Sequence, residues 1–304
     1  MGTIEENYQV KYTNKWGSLL QQHTSRLEQY VTVERGLSGK IAFFDQFGVL
    51  DFDEKSERVQ ATTLKEAPTY RRSMRPRIFT KAIGFDEYDH KKLGDLDAPV
   101  SKAIEGLQSA AGRTMDKVIL EAFNDINYVG EDGLTTVSFP VTQTVAVNYS
   151  ESGATDNTNL TVEKLRATLR LFEENEAWSQ DSHRMGDELV MAVTSAQIMS
   201  LLRSTEVSSY DFNNVKALAE GKIDSFMGFK FIRTQLLPTN MAKHRYAMAW
   251  VKSKAQFGIW DDFKVRISIR DDMEETLQIR AKFACGATRL QEEGFVRILC
   301  DESK

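Results

Sequence analysis

The stretch DAPVSKAIEGLQSAAGRTMDKVILEAFND constrains this chain more than any other segment. Its apolar side chains Val100, Ile104, Leu107, Ala111, Met115, Val118 and Ala122 recur at gaps of three and four, the signature of one helical face. Asp97 is placed to cap such a helix, and Pro99 falls in the first turn, where its missing N–H costs nothing. The spacing predicts a helix over residues 98–123, roughly 39 Å long at 1.5 Å per residue. A rod of that length needs partners along its whole side.

The surrounding sequence supplies them in mixed order. Residues 1–40 are polar, with scattered aromatics at Tyr8, Tyr12, Trp16 and Tyr30, and read as an arm. From Phe43 to Leu96 the chain is charge-rich, with short alternating pieces bounded by Pro68, Pro76, Gly84 and Gly94, and reads as a long, projecting, partly β loop. TVSFPVTQTVAVNY keeps period two from Val137 to Tyr149 and predicts a strand, with Pro140 at an edge or bulge. TVEKLRATLRLFEENEAW predicts a second amphipathic helix ending in a solvated acidic run at Glu173, Glu174 and Glu176. ELVMAV reads as a buried strand feeding a helix at SAQIMSLLRS, opened by a capping box of Thr194 and Gln197.

Further on, a helix end at Gly221 and a turn at Gly228 precede the strand FKFIRT. Val265, Ile267 and Ile269 alternate, Asp271 and Asp272 turn the chain, Leu277 to Cys285 alternate again, and GFVRILC closes it. Helices and strands are interspersed without βαβ repetition, so the fold class is α+β with no internal repeat.

Composition excludes several functions. A chain of 304 residues with net charge −5 is a poor nucleic-acid coat, so any DNA contact must be local. No apolar run approaches the ~20 residues of a membrane span, and the start lacks a secretion signal. Cys285 and Cys300 are too few for a disulfide framework and read as buried small hydrophobes. No phosphate loop, GxGxxG, GxSxG or HExxH occurs, GLSGK lacking the spacing for the first. His23, His90, His183 and His244 stand apart in polar settings, and the pairs Asp261 with Asp262 and Asp271 with Asp272 read as turns. No catalytic residue, metal ligand or cofactor site is expected.

One cluster stands out. YRRSMRPRIFTKAIGFDEYDHKK carries Arg71, Arg72, Arg75 and Arg77 within seven positions, then Asp86, Glu87 and Asp89. Guanidinium groups bind phosphate or carboxylate and are favoured at interfaces. The residues themselves leave three readings open: a solvated loop, a protein interface or a nucleic-acid site.

The order of parts resembles the major capsid protein of tailed bacteriophages, with the Hong Kong 97-type fold. The resemblance covers essentially the whole chain and is carried by KIAFFDQFGV before the loop, AAGRTMDKVILEAFND in the helix, ELVMAVTSAQIMSLLRS with LAEGKIDSFMGFKFIRTQLLP in the middle, and ACGATRLQEEGFVRILCDE at the end. It implies an N-terminal arm over 1–42, an extended loop over 43–96, and a peripheral domain with the spine helix over 97–159. An axial domain over 160–275 and return strands over 276–304 complete the set. Arg71, Arg72, Arg75, Arg77, Asp86 and Glu87 are then expected at contacts between subunits.

The implied function is a non-enzymatic shell subunit enclosing phage double-stranded DNA. Its implied partners are further copies in hexamers and pentamers, a scaffolding protein, a portal, decoration proteins and packaged DNA bound without sequence reading. No membrane is involved. Its place is the virion, after assembly in the host bacterial cytoplasm. An encapsulin-like cellular compartment is the alternative. Because the arm begins near Met1, a separate scaffolding protein is expected; Lys65 and Lys81 lie in the loop, but no crosslinking to a neighbour is expected.

Overall fold

A computed structural model describes residues 21–52, 54, 64–85, 100–153, 156–179, 186–203 and 225–303. They form two compact units, one of the described residues within 25–77, 114–261 and 284–304, the other of those within 1–24, 78–113 and 262–283.

The larger unit is built on a six-stranded sheet. Strands β7 (Thr144–Val145), β14 (Phe295–Cys300), β11 (Arg245–Val251), β8 (Leu189–Val193), β10 (Phe229–Arg233) and β9 (Ser225–Phe226) lie side by side in that order. Every residue of the central β8 is buried, which explains why LVMAV is uniformly apolar rather than alternating. Helices α2 (Val162–Glu174) and α3 (Ser195–Arg203) bring Val162, Leu165, Phe172, Ile198 and Leu201 into one core with Met191, Phe229 and Val296. Thr161 caps α2 by accepting from the Lys164 N–H at 3.3 Å. The expected capping box opens α3: the Thr194 N–H donates to Gln197 Oε1 at 3.0 Å, and the Gln197 N–H donates back to Thr194 Oγ1 at 3.2 Å. Between β9 and β10, Met227 and Gly228 both hold positive φ, the requirement of a two-residue hairpin turn.

A second sheet in this unit orders β2 (Ala42–Phe47), β3 (Thr69–Met74), β5 (Asn127–Val129) and β6 (Thr135–Val137), all antiparallel. The long helix α1 (Val100–Asn124) ends here, with Val118, Ile119, Leu120 and Phe123 buried. Phe123 packs its ring 5.1 Å from Trp250 and 4.9 Å from Phe295. Buried Asp116 on the same helix accepts from Ser25 Oγ at 2.6 Å and from the Leu27 N–H at 3.2 Å, starting the short turn Glu28–Tyr30. Beyond it β1 (Thr32–Arg35) pairs in parallel with β12 (Ala255–Arg270), so this part of the polar N-terminal stretch is sheet.

The smaller unit has its own core. Val100, Ala103, Ile104 and Leu107 of α1 meet Ile83 and Phe85 of β4 (Arg77–Phe85), Phe263 and Val265 of β12, and Ile279 and Ala281 of β13 (Thr276–Arg289). The helical stripe read from sequence is therefore the face that packs. Phe79 stacks on Phe283 at 5.2 Å.

Two expectations are corrected, and one strand was not foreseen. TVSFPVTQTVAVNY is not one strand: β6 belongs to one sheet and β7 to another, joined through Pro140 and a 3₁₀ turn at Val141–Gln143. Pro140 has no N–H for a ladder, and Val141, apolar in the pattern, faces solvent. Asp261 and Asp262 do not turn the chain but lie inside the 16-residue β12. RYAMAWV, which forms β11, has no alternation to betray it because its last five residues are all buried. Asp97, Pro99 and Gly221 lie outside the described residues.

Candidate subunit interface

The arginine stretch straddles β3 and the start of β4, and strand geometry divides its side chains. Neighbouring residues on a strand point to opposite faces, so Arg71 and Arg72 part company. Arg71 stands directly across from Asp45 on β2 and meets it in a bidentate pair, Nε to Oδ1 at 2.5 Å and Nη2 to Oδ2 at 3.0 Å. The guanidinium also lies 5.3 Å from the Phe43 ring. This Arg71 hydrogen bond holds the Asp45 carboxyl below its ordinary range and raises the arginine in turn. Both groups are exposed.

Arg72 turns inward. Its two Nη atoms grip the Glu292 carboxylate, Nη1 at 3.0 Å, with the side chains only 14% and 10% exposed. Glu292 also faces Arg289, whose Nε is 3.7 Å away. Arg289 is fully buried, and its Nη1 donates to the carbonyls of Ala122, Phe123 and Asp125 at 2.8–2.9 Å. The last carbonyls of a helix lack intrahelical partners and carry partial negative charge, so a buried guanidinium is their complement. Burial pulls Arg289 down to about 10, leaving it a cation at neutral pH. Beside it Arg297 is clasped between the rings of Phe139 and Tyr246, at 4.7 and 4.8 Å, and bonds Asn124 Oδ1 at 3.1 Å.

Arg75 donates to the Gly133 carbonyl at 3.0 Å and stacks 4.4 Å from Tyr128. Gly133 sits at φ 61, where a side chain is disfavoured and a Cβ would approach Ser73 Oγ to 2.7 Å. Arg77 pairs with Glu121 of α1 at 2.5 Å, both partners exposed. Asp86 and Glu87 lie outside the described residues. All four arginines thus engage groups of their own chain, two of them facing solvent.

Other sequence candidates are scattered. His23 approaches Ser109 at 3.4 Å and His244 approaches Asn157 at 3.5 Å; His90 and His183 are not described. Cys285 and Cys300 are buried, each thiol pushed up to about 12 by that burial. Among the described residues no His, Cys, Asp and Glu side chains gather as a metal site, and no helix is long and apolar enough to cross a membrane. The hairpin of β2 and β3 carries large apolar side chains into solvent at Phe47, Val49, Leu50, Phe52 and Leu64. Large apolar side chains left in solvent in such number point to a surface that another protein covers.

The profile of a family described as phage capsid protein matches residues 4–302. The chain belongs to that family. It is a structural subunit of a virion shell assembled from repeated copies, and the family match lends the encapsulin-like alternative no support. Solved structures agree on the fold. The capsid of cyanophage P-SCSP1u superposes with a TM-score of 0.72 at 14% identity, covering 99% of this chain and 95% of its own. The capsid of cyanophage Pam1 gives 0.72 at 12% identity over 99% and 98%. The head of Helicobacter pylori bacteriophage KHP40 gives 0.72 at 8% identity over 99% and 98%. No curated protein matches the chain. The α+β architecture is that of phage capsid subunits, as the Hong Kong 97-type resemblance implied.

Sequence reasoning missed Arg289, Glu292, Lys164 and Asp116. Lys164 is buried and donates to four backbone carbonyls, Val147, Thr158, Asn159 and Leu299, at 2.8–3.1 Å. Its position on the buried side of α2, between Val162 and Leu165, was the available signal.

Proposed function

We propose that this chain is the non-enzymatic major capsid subunit that closes the icosahedral head around a phage's double-stranded DNA, in hexamers and pentamers, after assembly in the host bacterial cytoplasm. The observation that carries this reading is the family match from end to end, joined by the exposed apolar hairpin of Phe47, Val49, Leu50, Phe52 and Leu64. A solitary subunit has no use for such a surface. Residues 1–42 act as an arm, 43–96 as the loop reaching a neighbour, 97–159 as the peripheral domain, 160–275 as the axial domain, and 276–304 as return strands of the peripheral and axial domains.

Arg71, Arg72, Arg75, Arg77, Asp86 and Glu87 are proposed at or beneath the contact between subunits. The exposed pairs Arg71 with Asp45 and Arg77 with Glu121 can exchange partners across an interface, while Arg72 shapes the hairpin from inside. Surface pairs contribute little each, so the contacts stay reversible while a shell gains strength from their number. Scaffolding, portal and decoration proteins and non-specifically bound DNA are the remaining proposed partners. No cofactor and no lysine crosslink take part.

Electron microscopy of the purified protein, alone and with a scaffolding protein encoded beside it, tests this reading. Closed shells or capsomer rings are expected. Persistent monomers under both conditions overturn it.

A further inference from the structure

Lys164 on α2 is fully buried, a rare place for an ammonium group. Among the described residues it donates to four groups, all of them backbone carbonyls: Thr158 at 2.8 Å, Val147 at 2.9 Å, Leu299 at 3.0 Å and Asn159 at 3.1 Å. A protonated amine is a pure donor with three N–H groups, so these oxygens saturate it. Carbonyl oxygens converging on one point replace the hydration shell of a cation, and desolvation is tolerated there because every donor is answered. Burial pulls Lys164 down to about 8, leaving it a cation at neutral pH.

The four carbonyls come from three separate segments. Val147 and Thr158 stand at the two ends of the loop between β7 and α2, and Leu299 belongs to β14. The Thr158 N–H donates to the Val147 carbonyl at 3.1 Å, and the Asp301 N–H donates to the Thr158 carbonyl at 3.1 Å. Lys164 therefore sits at the neck of the loop, where it meets the end of the last strand. Two further ties of this loop, the Glu151 N–H to Glu163 at 3.0 Å and Arg166 to Glu151 at 3.2 Å, are exposed. Exposed charge contacts contribute little.

We infer that the four carbonyls form a recognition site for a primary ammonium, filled from within by Lys164, and that its occupancy holds the loop 147–158 closed against β14. The site requires positive charge and N–H donors together. Neither an apolar filler nor a cation without N–H groups meets that requirement. Lys164→Ala removes the atoms of n-propylammonium, which makes that ion the matching free ligand.

Hydrogen exchange of the purified protein at neutral pH, read at the Thr158 and Asp301 amides, tests this. Lys164→Ala and Lys164→Met should each exchange there about tenfold faster than the wild type, or more. n-Propylammonium should restore protection in Lys164→Ala, saturating as a bound ligand does, but not in Lys164→Met, whose side chain occupies the space. Tetramethylammonium at equal ionic strength, which lacks N–H groups, and n-propanol, which lacks charge, should restore neither. Wild-type protection in either variant, equal restoration by n-propanol or tetramethylammonium, or no restoration by n-propylammonium overturns the inference. If Lys164→Ala does not fold in plain buffer, its refolding yield by circular dichroism in the same solutes decides. Recovery in n-propylammonium alone supports the site, and any other pattern overturns it.

Discussion

Arg72 and Glu292, 220 residues apart in sequence, form a nearly buried ion pair that fastens strand β3 to the turn leading into β14. Glu292 also faces fully buried Arg289, so one carboxylate answers two guanidinium groups. Removing one member of a buried pair strands the other, at about 3–5 kcal/mol. Glu292→Gln should therefore destabilise the subunit more than Arg72→Met does, because it leaves two guanidinium groups without their carboxylate, whereas Arg72→Met leaves that carboxylate still facing Arg289. Urea unfolding of the dissociated subunit measures both; equal losses would mean that Arg289 does not depend on Glu292.

Charge reversal at the loop separates the two strand faces. Arg71→Glu, on the exposed side, should leave the subunit folded, with a stability change within about 1 kcal/mol, and impair shell formation. Arg72→Glu should fail to fold, since it sets two carboxylates together where both side chains are almost covered. Circular dichroism of the two variants beside a sedimentation assay for shells decides the matter. Normal shells from Arg71→Glu remove that residue from the interface.

Gly286 is a point of close approach. A Cβ there would sit 2.5 Å from the Arg75 backbone carbonyl and 3.1 Å from Met74 Cγ. Gly286→Ala should cost about 1–3 kcal/mol by pushing β3 and β13 apart. Thermal melting checks this, and an unchanged midpoint would contradict the packing.

Alkaline pH acts on three buried groups with opposite signs. Lys164 titrates near 8 in the folded chain against an ordinary 10.5, chiefly through burial, so the unfolded chain holds its proton longer and this group adds stability as pH rises between those values. Cys285 and Cys300 do the reverse, staying protonated to about 12 when the unfolded thiols ionise near 9. Between about 9 and 10.5 the two thiols outweigh the lysine by one proton. Stability from these groups should fall by about 1.4 kcal/mol per pH unit. Urea midpoints across that window measure the slope; Cys285→Ala with Cys300→Ala should turn it upward, and Lys164→Met should steepen the fall.

Much of the fold is legible in the chain because local chemistry writes it there. The stripe from Val100 to Ala122 marks α1, Thr194 and Gln197 announce α3, and the uniform apolar run of LVMAV marks a strand covered on both faces. Legibility fails where burial is complete without being uniform, as in RYAMAWV and in the first half of β12. It also fails at Pro140, where a regular alternation spans two different sheets.

The site follows the same division. Sequence singled out Arg71, Arg72, Arg75 and Arg77 by their density and charge, and by itself determined an α+β chain with a long packing helix, no catalytic signature and a capsid-like order of parts. Only the tertiary structure decided what each arginine does. Strand pleat sends Arg71 out to Asp45 and Arg72 in to Glu292, and a helix end far away in sequence gives Arg289 its three carbonyls. Residue type fixes which bonds a side chain can make, but its partners come from chain segments up to 220 residues distant, brought together by packing that no local pattern encodes.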